Sequence, residues 1–299
     1  MRAPLVLDFD ASVGALDGAT RIDLAAWQER IRFGATQRTF ARFVATLLPQ
    51  LPPAHGTVLL GSGDYHHLSW PLIARRAAQG PFEVVVFDNH PDNMRFPWGI
   101  HCGSWVRRVA ALPCVTRVHV VGISSGDVGL GHAWENHLAP LWRGRLEYWT
   151  VGSDASWLPR LGLHQAWHGF ATPAELLDAF AQRQMGTTTP VYLSIDKDVL
   201  SPEVARTNWD QGRFSEADLM RGIDTLAGRL IGSDITGEVS QYRYATWWKR
   251  KLSALDEQPA IDVAELTRWQ ATQHALNLRL LERIAQACAD AGAGPRRRG

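Results

Sequence analysis

Short apolar runs rich in β-branched residues recur along the chain: Leu5 to Phe9, Thr57 to Leu60, Glu83 to Phe87, Val118 to Ile123, Leu146 to Val151, Val191 to Ile195 and Leu230 to Ile235. Their length and composition predict strands. Between several of them, apolar positions fall at helical spacing behind start signals. Thr172-Pro173 precedes Ala174 to Gln184, and Ser215 with Asp218 precedes Leu219 to Leu226. Asp23 to Leu48 and Asp262 to Ala291 read as longer helices, the first stopped by Pro49, Pro52 and Pro53. Strand and helix alternate, which predicts an α/β protein with a parallel sheet covered on both faces. No repeat, low-complexity tract or linker divides 1–299, so one domain is expected, with an irregular loop from Ser124 to Arg145.

Composition narrows the function classes without choosing one. The chain has 299 residues, 31 Lys plus Arg against 30 Asp plus Glu, so no overall field favours nucleic acid or an anionic membrane. The Arg296-Arg297-Arg298 tail is too short to reverse that. Three cysteines, Cys102, Cys114 and Cys288, are an odd count without paired spacing, which argues against a disulfide framework or zinc knuckle and suits a cytoplasmic setting. The first residues meet Asp8 and Asp10 too early for a signal-peptide core, and no apolar run is long enough to span a membrane. Thirteen tryptophans outnumber the ten phenylalanines; each buried indole needs a partner for its N–H, and some are expected to line a pocket. Assembly into a homo-oligomer stays open.

Chemistry enters where the apolar runs stop. Polar clusters follow four of the predicted strands: Gly61-Ser62-Gly63-Asp64-Tyr65-His66-His67, Asp88-Asn89-His90-Pro91-Asp92, Ser194-Ile195-Asp196-Lys197-Asp198 and Asp234-Ile235-Thr236-Gly237-Glu238. The carboxyl ends of strands are where open parallel sheets place ligands. In Asp88-x-His90-x-Asp92, alternate residues of an extended segment point the same way, so two carboxylates and an imidazole would converge. Asp196-x-Asp198 adds two more carboxylates. So many like charges in one place need a cation. The donor set suits manganese, zinc, iron or nickel, and its oxygen excess tilts toward manganese. Alone, each cluster is as readily loop polarity or helix capping. Their joint placement at strand ends is what points to a site.

The three leading clusters, in this order and spacing, resemble the G-G-D-H, D-A-H-x-D and S-x-D-x-D-x-x-D-P motifs of the arginase and agmatinase (ureohydrolase) family. The similarity extends roughly from Thr57 to Glu238. It implies a three-layer αβα fold with a mostly parallel central sheet and two Mn2+ ions. The ligands it implies are one histidine of the first motif with Asp88, His90, Asp92, Asp196 and Asp198. Tyr65 departs from the family pattern, so either His66 or His67 could be the first ligand.

The same resemblance implies that His101, in Trp98-Gly99-Ile100-His101-Cys102-Gly103, is a proton-transferring acid/base at the pocket mouth. It further implies that Glu238 anchors a substrate guanidinium, although Gly237 disturbs the usual spacing; a loop histidine and a structural salt bridge are the rival readings. The implied reaction is hydrolysis of a linear amidine, releasing urea or an analogue through a metal-bridging hydroxide. The loop Asn93-Met94-Arg95-Phe96-Pro97-Trp98 is bulky and apolar, so free L-arginine is expected to be a poor substrate. Another guanidino compound, such as an arginine-bearing peptide, would be better, with Trp98 and Trp105 candidates for stacking on it. Two competing expectations are a single-zinc deacetylase of the related fold and a non-catalytic metal-binding relative.

Overall fold

The computed structural model describes residues 2–255 and 261–289. Its eleven strands are β1 (Leu5–Asp8), β2 (Thr20–Asp23), β3 (Gly34–Thr36), β4 (Val58–Leu59), β5 (Phe82–Phe87), β6 (Gly99–His101), β7 (Val115–Ile123), β8 (Leu146–Val151), β9 (Trp167–Phe170), β10 (Val191–Asp196) and β11 (Leu230–Thr236). Nine of them form one sheet in the order β2-β1-β4-β11-β10-β5-β7-β8-β9, and every pairing in it is parallel. β3 and β6 make a separate antiparallel pair.

The central strands are apolar on both faces because helices cover both. In β5, Val84 and Val86 join a core with Phe40, Phe43, Leu72, Ile73 and Val106. Their neighbours Val85 and Phe87 point the other way, to Leu176, Phe180, Leu219, Ile223, Leu276 and Leu280. The result is three layers, helix on sheet on helix, as expected for a mostly parallel α/β protein.

The expected start signals operate. Thr172 caps the helix Pro173–Gln184 by accepting from the Glu175 N–H, and Ser215 with Asp218 forms a capping box on Glu216–Asp224. The C-terminal stretch is the helix Val263–Ala289; residues 290 and 291, and the Arg296–Arg298 tail, lie outside the described residues. Short helical turns and the helix Ala139–Trp142 interrupt the 124–145 loop.

The single long helix expected from Asp23 to Leu48 is not formed. The segment divides into a short helix Gln28–Ile31, strand β3 and a helix Gln37–Leu47. Two local features override its helical spacing: Phe33 takes a left-handed backbone at φ 66°, and Thr36 is extended, capping the next helix through the Thr39 N–H. The consequence is functional, because β3 pairs with β6 and so holds His101, opposite Gly34. Among the described residues, no helix is long and apolar enough to cross a membrane.

Candidate metal centre

β4, β11, β10 and β5 are consecutive in the sheet, so the four polar clusters that follow them arrive side by side at its carboxyl edge. A cavity of about 300 Å³ opens there, lined by His66, Asp88, His90, Asp92, Asp196 and Asp198 among others. His101 lines it as well. Two groups of ligand-type atoms gather within 4.8 Å: His66, Asp88 and Asp196, and Asp88, His90 and Asp198. Asp88 belongs to both.

The open choice between His66 and His67 is decided in space by a 3-10 turn over Gly63–Leu68, begun by Ser62, whose hydroxyl accepts from the Asp64 N–H. At three residues per turn, Gly63 and His66 share one face, and both line the cavity. His66 Nδ1 lies 3.2 Å from Asp88, 3.0 Å from Asp92 and 3.4 Å from Asp196. His67, the next residue round, is buried against the Phe40 ring. Tyr65 faces a third way and stacks on Phe9 at 4.2 Å.

The Asp88–Asp92 segment converges differently from expectation. β5 ends at Phe87, and Asp92 has a left-handed backbone at φ 46°. A bend rather than a continued strand brings Asp88, His90 and Asp92 to one cavity. Asp92 is held there by the Trp105 indole, which donates to its carboxylate at 2.5 Å. Trp105 is fully buried, so it positions a candidate ligand instead of stacking on a substrate.

The two imidazoles of the candidate ligand groups are fixed from behind. His66 Nε2 donates to the Ser194 hydroxyl at 3.0 Å, which donates to Asp234 at 2.6 Å. His90 Nε2 donates to Asp210 at 2.7 Å. With those nitrogens used, Nδ1 of each ring faces carboxylates: Asp88, Asp92 and Asp196 around His66, Asp88 and Asp198 around His90. This is the arrangement a metal-ligating histidine requires.

The electrostatics ask for a cation. Burial raises the carboxyl pKa values of Asp92 and Asp198, and the Asp88 charge adds to it, bringing both to about 7. Asp196 is pushed well up by burial and by Asp198. Asp88 is the exception: burial opposes ionisation, but the His66 and His90 imidazoles beside it outweigh it and hold its pKa low. One Asp88 oxygen, Oδ2, is buried without a hydrogen-bond partner, although it lies 3.2 Å from His66 Nδ1. A carboxylate oxygen left without a hydrogen bond beside an imidazole nitrogen fits a divalent ion.

Other sequence candidates fall elsewhere. Glu238 does not reach the cavity: it is buried, accepts from Lys197 Nζ at 2.6 Å and from Asn277 at 2.6 Å, and so takes the salt-bridge alternative. Before it, Gly237 has φ 90°, and a Cβ there would lie 2.5 Å from Asp196 Oδ1, so the backbone passes directly against Asp196. Trp98 is 75% exposed and packs edge-on to Phe96, outside the cavity lining.

His101 does line the cavity; burial pushes its pKa down to about 4, and Nδ1 accepts from the Gly103 N–H. The neutral ring therefore carries its proton on Nε2. Sequence reasoning missed Trp209 and Asp210, which lie in an irregular stretch with no periodic pattern to mark them, and Arg32. The Arg32 guanidinium, buried, pairs with Asp64 at 2.6 Å and Asp10 at 3.0 Å, tying the first motif to the β3 segment.

A parallel nine-stranded sheet between helix layers, with these motifs at its carboxyl edge, is the arginase-like fold. It is similar to proclavaminate amidino hydrolase from Streptomyces clavuligerus, at 17% identity and a TM-score of 0.54 over 96% of this chain and 93% of that one. Arginase from Bacillus subtilis gives 15% identity and a TM-score of 0.51 over 95% and 98%. Formimidoylglutamase from Bacillus subtilis gives 16% and 0.50 over 95% and 86%. By sequence, an uncharacterized protein of Thermotoga maritima is 28% identical over 204 residues, 68% of this chain and 65% of that protein's length. No protein-family model matches the chain.

Proposed function

We propose that this protein is a divalent-metal-dependent hydrolase of the C–N bond of a guanidino compound, releasing urea or an analogue. The carrying observation is charge balance. Asp88, Asp92, Asp196 and Asp198 are all buried around one cavity, and no Lys or Arg stands among the described residues that line it. Buried charge is retained only when paired or bound to metal. Two ions are proposed because Asp88 is common to both ligand groups, which speaks against the single-zinc deacetylase reading. The oxygen-rich donor set favours manganese.

A guanidinium carbon resists neutral water because its charge is delocalised over three nitrogens. Paired divalent ions, when bound, supply Lewis acidity and acidify water toward neutrality. The chain's residues supply the rest. Ser194 and Asp210 orient the two imidazoles, and Trp105 orients Asp92. Phe33, Met94, Phe96 and Trp209 line the cavity and keep bulk water from it. His101 donates a hydrogen bond from Nε2 to the departing nitrogen, with Gly103 holding the ring in that tautomer. Urea release from a panel of guanidines by manganese-loaded protein tests the reading. Metal-dependent urea production supports it; a protein that binds metal but hydrolyses no guanidine overturns it.

A further inference from the structure

Resting on the guanidino reading, we infer that the substrate is a guanidine without a carboxylate whose leaving amine carries a flat apolar group, seated on the face made by Phe33 and Trp209. Charge gives the first half. Among the described residues lining the cavity there is no Lys, Arg, Ser, Thr, Asn or Gln, while Asp127 and Asp210 join the four candidate ligand acids. A substrate carboxylate would find no cationic side chain, only imidazole and the Trp209 indole as side-chain donors, and away from the ligand cluster would meet the Asp127 and Asp210 carboxylates. A cationic guanidinium enters their field favourably.

Ring geometry gives the second half. Trp209 and Phe33 lie nearly parallel, 16° apart with centroids at 6.1 Å, and Phe33 continues to His101 at 6.0 Å and 13°. Phe96 closes the wall, edge-on to His101 at 4.5 Å. Together these rings make one aromatic wall from the ligand cluster, where Trp209 meets His90 edge-on at 6.2 Å, to the His101 side. Phe33 holds its place in a left-handed conformation, fixed by its N–H to the Asp64 carbonyl and its carbonyl to the Cys102 N–H. A bulky residue kept in a strained backbone at a cavity wall is the kind of outlier that marks a ligand contact. A cavity of about 300 Å³ accommodates one small ring beside the guanidinium.

The experiment is a steady-state comparison of benzylguanidine, agmatine, guanidinobutyrate and L-arginine with manganese-loaded protein. Benzylguanidine should exceed agmatine about tenfold in kcat/KM, and the two carboxylate-bearing compounds should rank last. Trp209→Ala should raise KM for benzylguanidine about tenfold more than it raises KM for agmatine, with bound metal unchanged, and Trp209→Phe should recover most of the difference. Phe33→Leu gives the same test from the other ring. If agmatine, guanidinobutyrate or arginine equals or exceeds benzylguanidine, the inference is overturned while the guanidino reading stands. If none of the four is hydrolysed although metal is bound, both fall.

Discussion

Two buried clusters of histidine and carboxylate sit on the same sheet, and they balance charge in opposite ways. On β5, β7, β8 and β9, Glu147 meets Arg117 at 2.5 Å, Arg183 at 3.4 Å, His119 at 3.3 Å and His168 at 3.4 Å, with Glu83 on the far side of His119 at 3.8 Å. There burial opposes ionisation, but the hydrogen bonds to histidine outweigh it, and the carboxyl pKa values of Glu83 and Glu147 fall. At the carboxyl edge the same residue types gather without Arg or Lys, and Asp92, Asp196 and Asp198 rise. The first cluster carries its own cations, Arg117 and Arg183. The second is complete only with a cation.

The sharpest break between them is metal dependence. Asp88→Ala, which removes the carboxylate shared by both ligand groups, is expected to weaken manganese binding more than about 100-fold, beyond the loss typical of an outer partner, and to abolish turnover. Glu147→Gln should leave metal content untouched. Instead it should destabilise the fold by about 3 kcal/mol, because Arg117 and His119 lose a buried partner; denaturant unfolding measures this.

The Glu147 effect should depend on pH with a calculable sign. The carboxyl pKa of Glu147 is lowered, so its contribution is present above the ordinary 4.5 and lost as pH falls. His119 is raised, by the Glu147 and Glu83 hydrogen bonds outweighing burial, so its contribution is present below the ordinary 6.5 and lost as pH rises through its folded value. The gap between wild type and Glu147→Gln should therefore be widest between pH 4.5 and 6.5. A gap that is flat with pH would show that this cluster is held by packing and not by charge.

A smaller effect separates positioning from ligation within the candidate site. Asp210→Asn and Ser194→Ala remove the partners behind His90 and His66, and each should cost about tenfold in metal affinity without loss of stoichiometry. His101→Ala should slow turnover and leave metal content intact. Loss of metal on that substitution would make His101 a ligand.

Much of this was legible in sequence because strands end abruptly. Short apolar, β-branched runs stop at Asp88, Asp196 and Gly61, and the polar residues that follow are the ones the sheet brings together. The legible part fades where a residue's role depends on a distant partner. His66 and His67 are adjacent letters, and only the 3-10 turn assigns them different faces. Glu238 reads as a substrate anchor until Lys197, on β10's loop, and Asn277, on the C-terminal helix, are seen to hold it. Trp98 and Trp105 both looked available for stacking; one is exposed outside the cavity and the other is consumed by Asp92, while Trp209 takes the wall. The Asp23 to Leu48 stretch carries helical spacing throughout, and left-handed Phe33 with extended Thr36 breaks it.

The central claim is that the carboxyl-edge cluster is built for two divalent ions, and calorimetric titration of metal-stripped protein with manganese, with elemental analysis of the product, tests it most directly. The account predicts close to two ions per chain, a rise in Tm on loading, and collapse of both in Asp88→Ala but not in Glu147→Gln. Saturation at one ion with zinc preferred, or no binding at all, would contradict it.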